Sequence, residues 1–257
     1  MENKLLFLGT GASDWLIEKR LPGMYFRRYT SALLNDDLLI DCGPHIFDYL
    51  EKNECPALLK NLETVIITHR HSDHIDPSVL MKIAERKEIN LICDDYTYSL
   101  VKDAKNIKQI KLPLYKKTRV GKYQIIALPA NHDVHGGGKD ARHFIIITPD
   151  GKELYYGLDG TWFTTSEWII LKKHQCDVMV FDCTIGRAKD ARVFEHNNFS
   201  MVKQMAKQVR REKVLKKGGK IVASHFSRKL MPSHSNTKLM LKLHGIIAAY
   251  DGFEIKF

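Results

Sequence analysis

The segment Thr68-His69-Arg70-His71-Ser72-Asp73-His74 follows directly on Thr64-Val65-Ile66-Ile67, a β-branched apolar run of the kind that forms a buried strand. Three imidazoles and a carboxylate thus stand within six residues at the carboxyl end of a strand, where α/β folds place their ligand sites. His69 and His71 are two apart, so an extended backbone puts both on one side, and Asp73 and His74 follow on the turn into the next element. One ion could take the two histidines and a second the aspartate and the last histidine. The competing reading is a solvated loop rich in histidine; four ligand-type side chains at this spacing behind an apolar strand speak for metal.

Working outward, Leu5-Leu6-Phe7-Leu8 is a short strand that ends in Gly9-Thr10-Gly11-Ala12-Ser13. This turn lacks the Gly-Lys-Ser/Thr ending and the full Gly-x-Gly-x-x-Gly of a phosphate loop, and reads as a tight turn lining the site. Arg27 to Leu34 leads into a second strand, Asn35-Asp36-Asp37 forms a hairpin turn, and Leu38-Leu39-Ile40-Asp41 returns. A helix is expected from Pro44 to Leu59, with Ile46, Phe47 and Leu50 as its apolar stripe. Beyond the histidines, Asp76-Pro77 starts a helix over Ser78 to Lys87, Asn90 to Cys93 is a strand, and Tyr96 to Ala104 is a helix. Strands are expected at Ile107–Leu112, Tyr123–Leu128, His143–Thr148, Glu153–Gly157 and Val178–Phe181. The longest helix is expected from Asn198 to Lys216, where Met201, Met205 and Val209 form a stripe among Lys203, Lys207, Arg210, Arg211, Lys213, Lys216 and Lys217. Such a charge run is usually a solvated face. Lys220 to Ser224 is a late strand ending at His225, and Gly252 to Phe257 closes an edge. With no linker, low-complexity tract or short-period repeat, the pattern implies an α+β fold in one domain, residues 1–257. Two mixed β-sheets would pack face to face with helices on the outer faces, an αββα sandwich.

Hydrophobic content of 44% supports a sizeable core, and no run of eighteen apolar residues occurs. Met1 to Gly9 reads straight into a strand instead of a signal peptide, so a cytoplasmic location without membrane partners is expected. Five scattered cysteines, Cys42, Cys55, Cys93, Cys176 and Cys183, form no Cys-x-x-Cys pair. They read as reduced thiols, neither a disulfide framework nor a zinc knuckle. The net charge of +10 favours anionic partners such as phosphate esters or RNA, or serves only solubility.

A two-metal hydrolytic centre needs further ligands from later strand ends. Ala130-Asn131-His132-Asp133-Val134-His135, Leu158-Asp159-Gly160-Thr161 and Ser224-His225-Phe226-Ser227 offer them. Within His69 to His74 the pattern His-x-His-x-Asp-His resembles the signature of the metallo-β-lactamase superfamily of binuclear metal hydrolases. The likeness extends from Leu6-Phe7-Leu8-Gly9-Thr10-Gly11 through Ile40-Asp41-Cys42-Gly43-Pro44 to Ser224-His225-Phe226-Ser227. It implies that His69, His71 and His132 hold one metal and that Asp73, His74 and His225 hold another, with Asp159 bridging. His135 is the alternative to His132, and Asp133 and Asp182 are the carboxylates that could be mistaken for the bridge.

Within the superfamily the chain resembles the phosphodiesterase branch, which includes RNase Z and the cyclic phosphodiesterase of phosphonate breakdown. An aspartate, Asp159, stands where the antibiotic-hydrolysing members typically place cysteine. Phe181-Asp182-Cys183-Thr184 and Glu195-His196-Asn197-Asn198 resemble two RNase Z elements that assist the leaving group, with Asp182 replacing a glutamate. The glycine- and proline-rich tRNA-gripping arm and the N-terminal cysteine cluster of the phosphonate enzyme are both missing.

The resemblance therefore implies two divalent ions, zinc first and manganese or iron next, and hydrolysis of a small or cyclic phosphodiester. Asp73 would help orient the nucleophile, and His196 held by Asp182 would protonate the leaving alkoxide. Position and charge make Arg27, Arg28, Lys139 and Arg142 candidates for holding substrate. An endoribonuclease acting on tRNA or other RNA is one rival reading, and a metal-dependent sensor or nucleic-acid-binding protein without turnover is another. The sequence is compatible with a homodimer.

Overall fold

The computed structural model describes residues 2–85, 87–134, 140–187 and 189–257. The chain forms two compact units, Met1–Lys111 with Tyr250–Lys256, and Leu112–Ala249 with Phe257. In the first, strands β1 (Lys4–Gly9), β2 (Ser31–Leu34), β3 (Leu38–Ile40), β4 (Thr64–Ile66), β5 (Ile89–Ile92) and β6 (Ile107–Ile110) are joined late in the series by helices α1 (Ile46–Lys52), α2 (Pro77–Ala84) and α3 (Asp95–Ser99). The second contains β7 (Thr118–Val120), β8 (Tyr123–Pro129), β9 (Arg142–Ile147), β10 (Glu153–Gly157), β11 (Cys176–Asp182), β12 (Leu215–Ser224) and β13 (Ile246–Ala248), with helices α4 (Thr165–Leu171), α5 (Phe199–Arg211) and α6 (His234–Lys242). A final strand, β14 (Glu254–Lys256), returns to the first unit and pairs antiparallel with β1.

Each unit holds one seven-stranded mixed sheet, in the orders β14-β1-β2-β3-β4-β5-β6 and β7-β8-β9-β10-β11-β12-β13. Both are antiparallel in one half and parallel in the other. In the first, β3 to β6 run parallel, with α1, α2 and α3 as crossovers. In the second, β10 to β13 do so through α4, α5 and α6. Parallel strands need such crossovers, and their carboxyl ends then open on one edge of the sheet. Alternate residues face the helices: Leu33, Leu39, Val65 and Leu91 pack with Ile46, Leu80 and Ile83 in the first unit. Met179, Phe181, Ile221 and Ala223 pack with Val202, Met205 and Val209 in the second. Their sequence neighbours on the opposite pleat are buried as well, as in Val178, Val180 and Val222, which is why these strands read as continuous apolar runs. The expected α+β class with two mixed sheets is what the chain forms.

All four expected helices end early, those over Ser78 to Lys87 and Tyr96 to Ala104 at Ala84 and Ser99. The helix proposed for Pro44 to Leu59 ends at Lys52, and Glu54 turns into the left-handed region at φ +51°. The helix proposed for Asn198 to Lys216 ends at Arg211; Lys213 has φ +59°, and Lys216 and Lys217 belong to β12. Apolar residues beyond these last two breaks still pack, Leu58 and Leu59 against the first core and Val214 and Leu215 within the second, so it is the left-handed turn at Glu54 or Lys213, and not a lack of apolar residues, that ends each helix. Among the described residues no helix is long and apolar enough to cross a membrane. All five cysteines are free thiols.

The C-terminal return is locked by Asp251. Its Oδ1 accepts from Thr10 Oγ1 at 2.8 Å, and its Oδ2 accepts from the Arg28 N–H at 2.7 Å and pairs with Arg28 Nη1 at 3.4 Å. Removing one partner of a buried ion pair leaves the other charge desolvated, so Asp251→Ala is expected to lower stability by about 3–5 kcal/mol. The check is urea unfolding with unchanged m-value.

His45, also buried, accepts the Tyr29 N–H at its Nδ1 and stacks on the Tyr29 ring with centroids 4.0 Å apart. Burial, opposed by the charge of Asp48, pushes its pKa from 6.5 down to about 4. Between those values the unfolded chain binds a proton that the native state refuses. Stability is therefore complete above about pH 6.5 and falls as the pH drops towards about 4. His45→Gln is expected to flatten that fall in denaturation midpoints taken across the same window.

Candidate metal centre

In the first unit the site is built on the carboxyl ends of β3 and β4. Asp41 leaves β3 at φ +63° and is fully buried. Its Oδ1 accepts from the Thr68 N–H at 2.8 Å and from Thr68 Oγ1 at 2.9 Å, and its Oδ2 accepts from His74 Nδ1 at 2.8 Å. With Nδ1 donating, His74 turns its Nε2 towards Asp73 Oδ2, 3.5 Å away. A donor nitrogen and a carboxylate oxygen thus converge, and the buried Asp41 sets the tautomer, which is the usual outer support of a metal-ligating histidine. A second convergence lies beside it, where His69 Nε2 and His71 Nδ1 are 2.9 Å apart. Two imidazole nitrogens at that distance need a shared proton or a cation between them.

The loop carrying these groups is pinned to the turn after β3. Cys42 N–H donates to His74 O and Asp76 N–H to Cys42 O, both at 2.8 Å. A Cβ on Gly43 would lie 2.5 Å from Asp73 O, so only glycine allows this close approach. Asp76 then caps α2 by accepting from the Ser78 and Val79 N–H groups.

In the second unit the carboxyl ends of β8, β10, β11 and β12 contribute. Asp159 follows β10 at φ +53°, and its two oxygens address different histidines. Oδ1 is 2.9 Å from His225 Nε2, and Oδ2 is 3.9 Å from His132 Nε2. His225 follows β12 at φ +61°, and its Nδ1 lies 2.7 Å from Thr184 Oγ1. Thr184 in turn donates to Asp182 Oδ2 at 2.8 Å. The hydroxyl proton being spent there, His225 Nδ1–H is the donor, and its Nε2 presents a lone pair to the Asp159 carboxylate. Two facing lone pairs at this distance suit a shared proton or a bound cation, and a carboxylate divided between two imidazoles suits a bridge between two cations. The residues of both units fit divalent metal.

Beside Asp159 stands the buried pair His196 and Asp182, joined Nδ1 to Oδ2 at 3.0 Å. His196 Nδ1 lies 3.8 Å from Asp159 Oδ1. Asp182 also accepts the Thr184 and Asn197 N–H groups. Burial pushes Asp182 up, but the charges and hydrogen bonds of His196 and His225 outweigh it and hold the carboxyl well below the usual range. Burial pushes His196 down, and the Asp182 charge and hydrogen bond reverse this, leaving it above the ordinary histidine value. Asp159, Asp182, His196 and His225 offer ligand-type atoms within 4.8 Å of one another.

Sequence reasoning did not find the supports of the Asp159 turn. Asn197 donates from Nδ2 to Gly160 O at 2.9 Å and accepts the Trp162 N–H at 3.0 Å. Under the turn, His143 shares its Nδ1 with Glu167 Oε1 at 2.7 Å and with the Tyr155 hydroxyl at 2.9 Å. A Cβ on Gly160 would lie 2.7 Å from the His143 ring. The Glu167 part was detectable, because Thr164-x-x-Glu167 is a capping box. Its second task, gripping an imidazole 24 residues away, has no local pattern.

Of the four residues expected to hold substrate, Arg27 and Arg28 are 3% and 7% exposed. Arg27 donates to Thr10, and Arg28 pairs with Asp48 at 2.7 Å and with Asp251. These arginines are structural cations, their charged ends taken up by protein partners and not open to substrate. Arg142 begins β9 and lies 3.9 Å from Asp140. Lys139 lies outside the described residues, as does His135, the alternative to His132.

The family model for the beta-lactamase superfamily domain matches residues 37–226. The chain belongs to that superfamily. Its structure is similar to the metallo-beta-lactamase fold protein YhfI from Bacillus subtilis, at 20% identity and TM-score 0.77 over the whole of both chains. It is also similar to a diphosphatase from the PhnP family, at 16% identity and TM-score 0.73 over 99% of this chain and 98% of that one. A long-form RNase Z from yeast matches at 14% identity and TM-score 0.69, over 99% of this chain and 41% of the RNase Z chain. No protein of curated function matches in sequence.

Asp41→Asn puts an amide nitrogen, a donor, in reach of the groups that now donate to Asp41. It is expected to weaken divalent-metal binding about 10–100-fold. The check is cobalt(II) titration followed by visible absorption.

Proposed function

We propose that this chain is a metal-dependent phosphodiesterase. In this reading His69, His71 and His132 would hold one divalent ion and Asp73, His74 and His225 a second, and Asp159 would serve both. The observation that carries the reading is the buried Asp182–His196 pair, 3.0 Å apart and beside Asp159. A carboxylate-backed imidazole at that position is what a poor, alkoxide-type leaving group requires. The similarity to proteins described as a PhnP-family diphosphatase and an RNase Z is in keeping with a phosphoryl substrate.

Bound divalent ions supply a water acidified towards neutrality and a positive field for the phosphoryl oxygens. The chain does the rest. Asp41 and Thr184 fix the tautomers of His74 and His225. Asp73 helps orient the attacking water. Asp182 accepts His196 Nδ1–H and leaves the opposite nitrogen to hand its proton to the departing oxygen as the P–O bond breaks. A small or cyclic phosphodiester is the favoured substrate class. The net charge of +10 and the basic exposed face of α5 support RNA as the second reading.

His71→Ala is expected to abolish hydrolysis of bis(p-nitrophenyl) phosphate by metal-loaded protein, and activity that survives both this change and metal removal would sink the assignment. His196→Ala is expected to lower kcat on an alkyl phosphodiester by roughly 10²–10⁴-fold. It should affect p-nitrophenyl esters much less, since that anion leaves without a proton. An equal loss on both would remove His196 from the leaving-group role.

A further inference from the structure

Two aromatic side chains stand in solvent on the loops that carry Asp159 and His196. Trp162 is 41% exposed and Phe194 79% exposed. A lone exposed aromatic needs no explanation, but these two lie on loops that are hydrogen-bonded together. Thr161 Oγ1 donates to Val193 O at 2.8 Å, one residue before each aromatic, and Trp162 N–H donates to Asn197 Oδ1. The same loops carry the chemistry, with Asp159 three residues before Trp162 and His196 two residues after Phe194.

Trp162 also has φ +51°, in the left-handed region that a bulky residue avoids. Its neighbour Phe163 shows what that conformation achieves. Phe163 packs into the core, stacking on Trp168 at 5.5 Å and meeting Phe181 edge-on at 5.8 Å. The strained backbone at 162 leaves the indole outside while Phe163 goes in. Strain held by a specific hydrogen bond at a site is a sign of function. The other loop, which carries Phe194, also brings exposed cations, Arg187 and Lys189.

We propose that Trp162 and Phe194 form a stacking platform for a planar ring on the leaving-group side of the substrate, so that the preferred phosphodiester is one whose leaving alcohol is a nucleoside. This rests on the phosphodiesterase reading. Every nucleobase has a π-face that stacks on aromatic side chains, and the flanking cations suit the phosphates of a nucleotide.

The test compares methyl adenosin-5′-yl phosphate with methyl ribos-5-yl phosphate, which differ only in the base. Wild-type metal-loaded protein is expected to prefer the base-bearing ester by about 10–100-fold in kcat/KM. Trp162→Ala and Phe194→Ala should each lower kcat/KM about tenfold on that ester and leave the base-free ester unchanged, and Phe194→Tyr should restore the preference. No preference in the wild type, or equal losses on both esters, would overturn the platform. A binding arm without turnover separates this from the parent reading. Adenosine 5′-monophosphate should bind more tightly than ribose 5-phosphate by calorimetry and quench tryptophan fluorescence, with the quench reduced in Trp162→Phe. Preferential binding without hydrolysis of either ester would keep the platform and remove the phosphodiesterase, whereas hydrolysis without preferential binding would do the reverse.

Discussion

Asp41 and Asp182 each sit at the end of a β-strand, fully buried, and each grips a threonine while orienting an imidazole. The physics of that arrangement governs both units. A buried carboxylate is tolerated only when its lone pairs are met, and here each is met by backbone N–H, a hydroxyl and a ring nitrogen. The solution that satisfies the carboxylate also fixes which imidazole nitrogen keeps a lone pair. Stability and ligand presentation are therefore one requirement, and neither aspartate can change without altering both.

The two units reach this arrangement by the same route. In each, an antiparallel series leads into parallel strands joined by crossover helices, and the functional loops leave the carboxyl ends of the parallel strands, apart from the one carrying His132, which follows antiparallel β8. Asp41 follows the strand that starts the parallel half of the first sheet, and Asp159 follows its counterpart in the second, both at positive φ. Aspartate tolerates that region better than most residues because its short side chain can hydrogen-bond locally. One became a support and the other a direct ligand candidate. Their neighbours explain the difference, since Thr68 and His74 surround Asp41 whereas Asp159 faces His132 and His225.

Much of this was legible in the sequence. The Thr68–His74 segment could be read because its side chains are adjacent in the chain and follow a run that can only be a strand. His132, Asp159 and His225 are legible as ligand-type residues just past expected strands, and the resemblance assigns each its role. Outside that reach were contacts that register alone creates: Thr68 to Asp41 across 27 residues, and His143 to Glu167 across 24. Helices α4 and α6 and strands β7 and β13 were not anticipated either, and of the arginines chosen by charge Arg28 is a buried partner of Asp48 and Asp251 and Arg27 a buried donor to Thr10. Charge patterning shows that a cation exists; only packing shows whether water or a carboxylate receives it.

Positive φ carries the remaining information. Gly43 permits close approach by lacking a side chain, whereas Asp159, Trp162 and His225 accept the left-handed region with side chains intact. At Asp159 the return is a carboxylate turned to face two imidazoles, and at His225 it is a nitrogen turned to face that carboxylate. Trp162 is 41% exposed, and its conformation is held by its own N–H, which donates to Asn197 Oδ1. The turn is clamped by Asn197 and Asn131, and the place beside Phe163 is taken by Tyr155, Trp168 and Phe181. In the proposed reading the partner of the exposed indole is therefore a ligand ring, on the side where His196 would meet the leaving group.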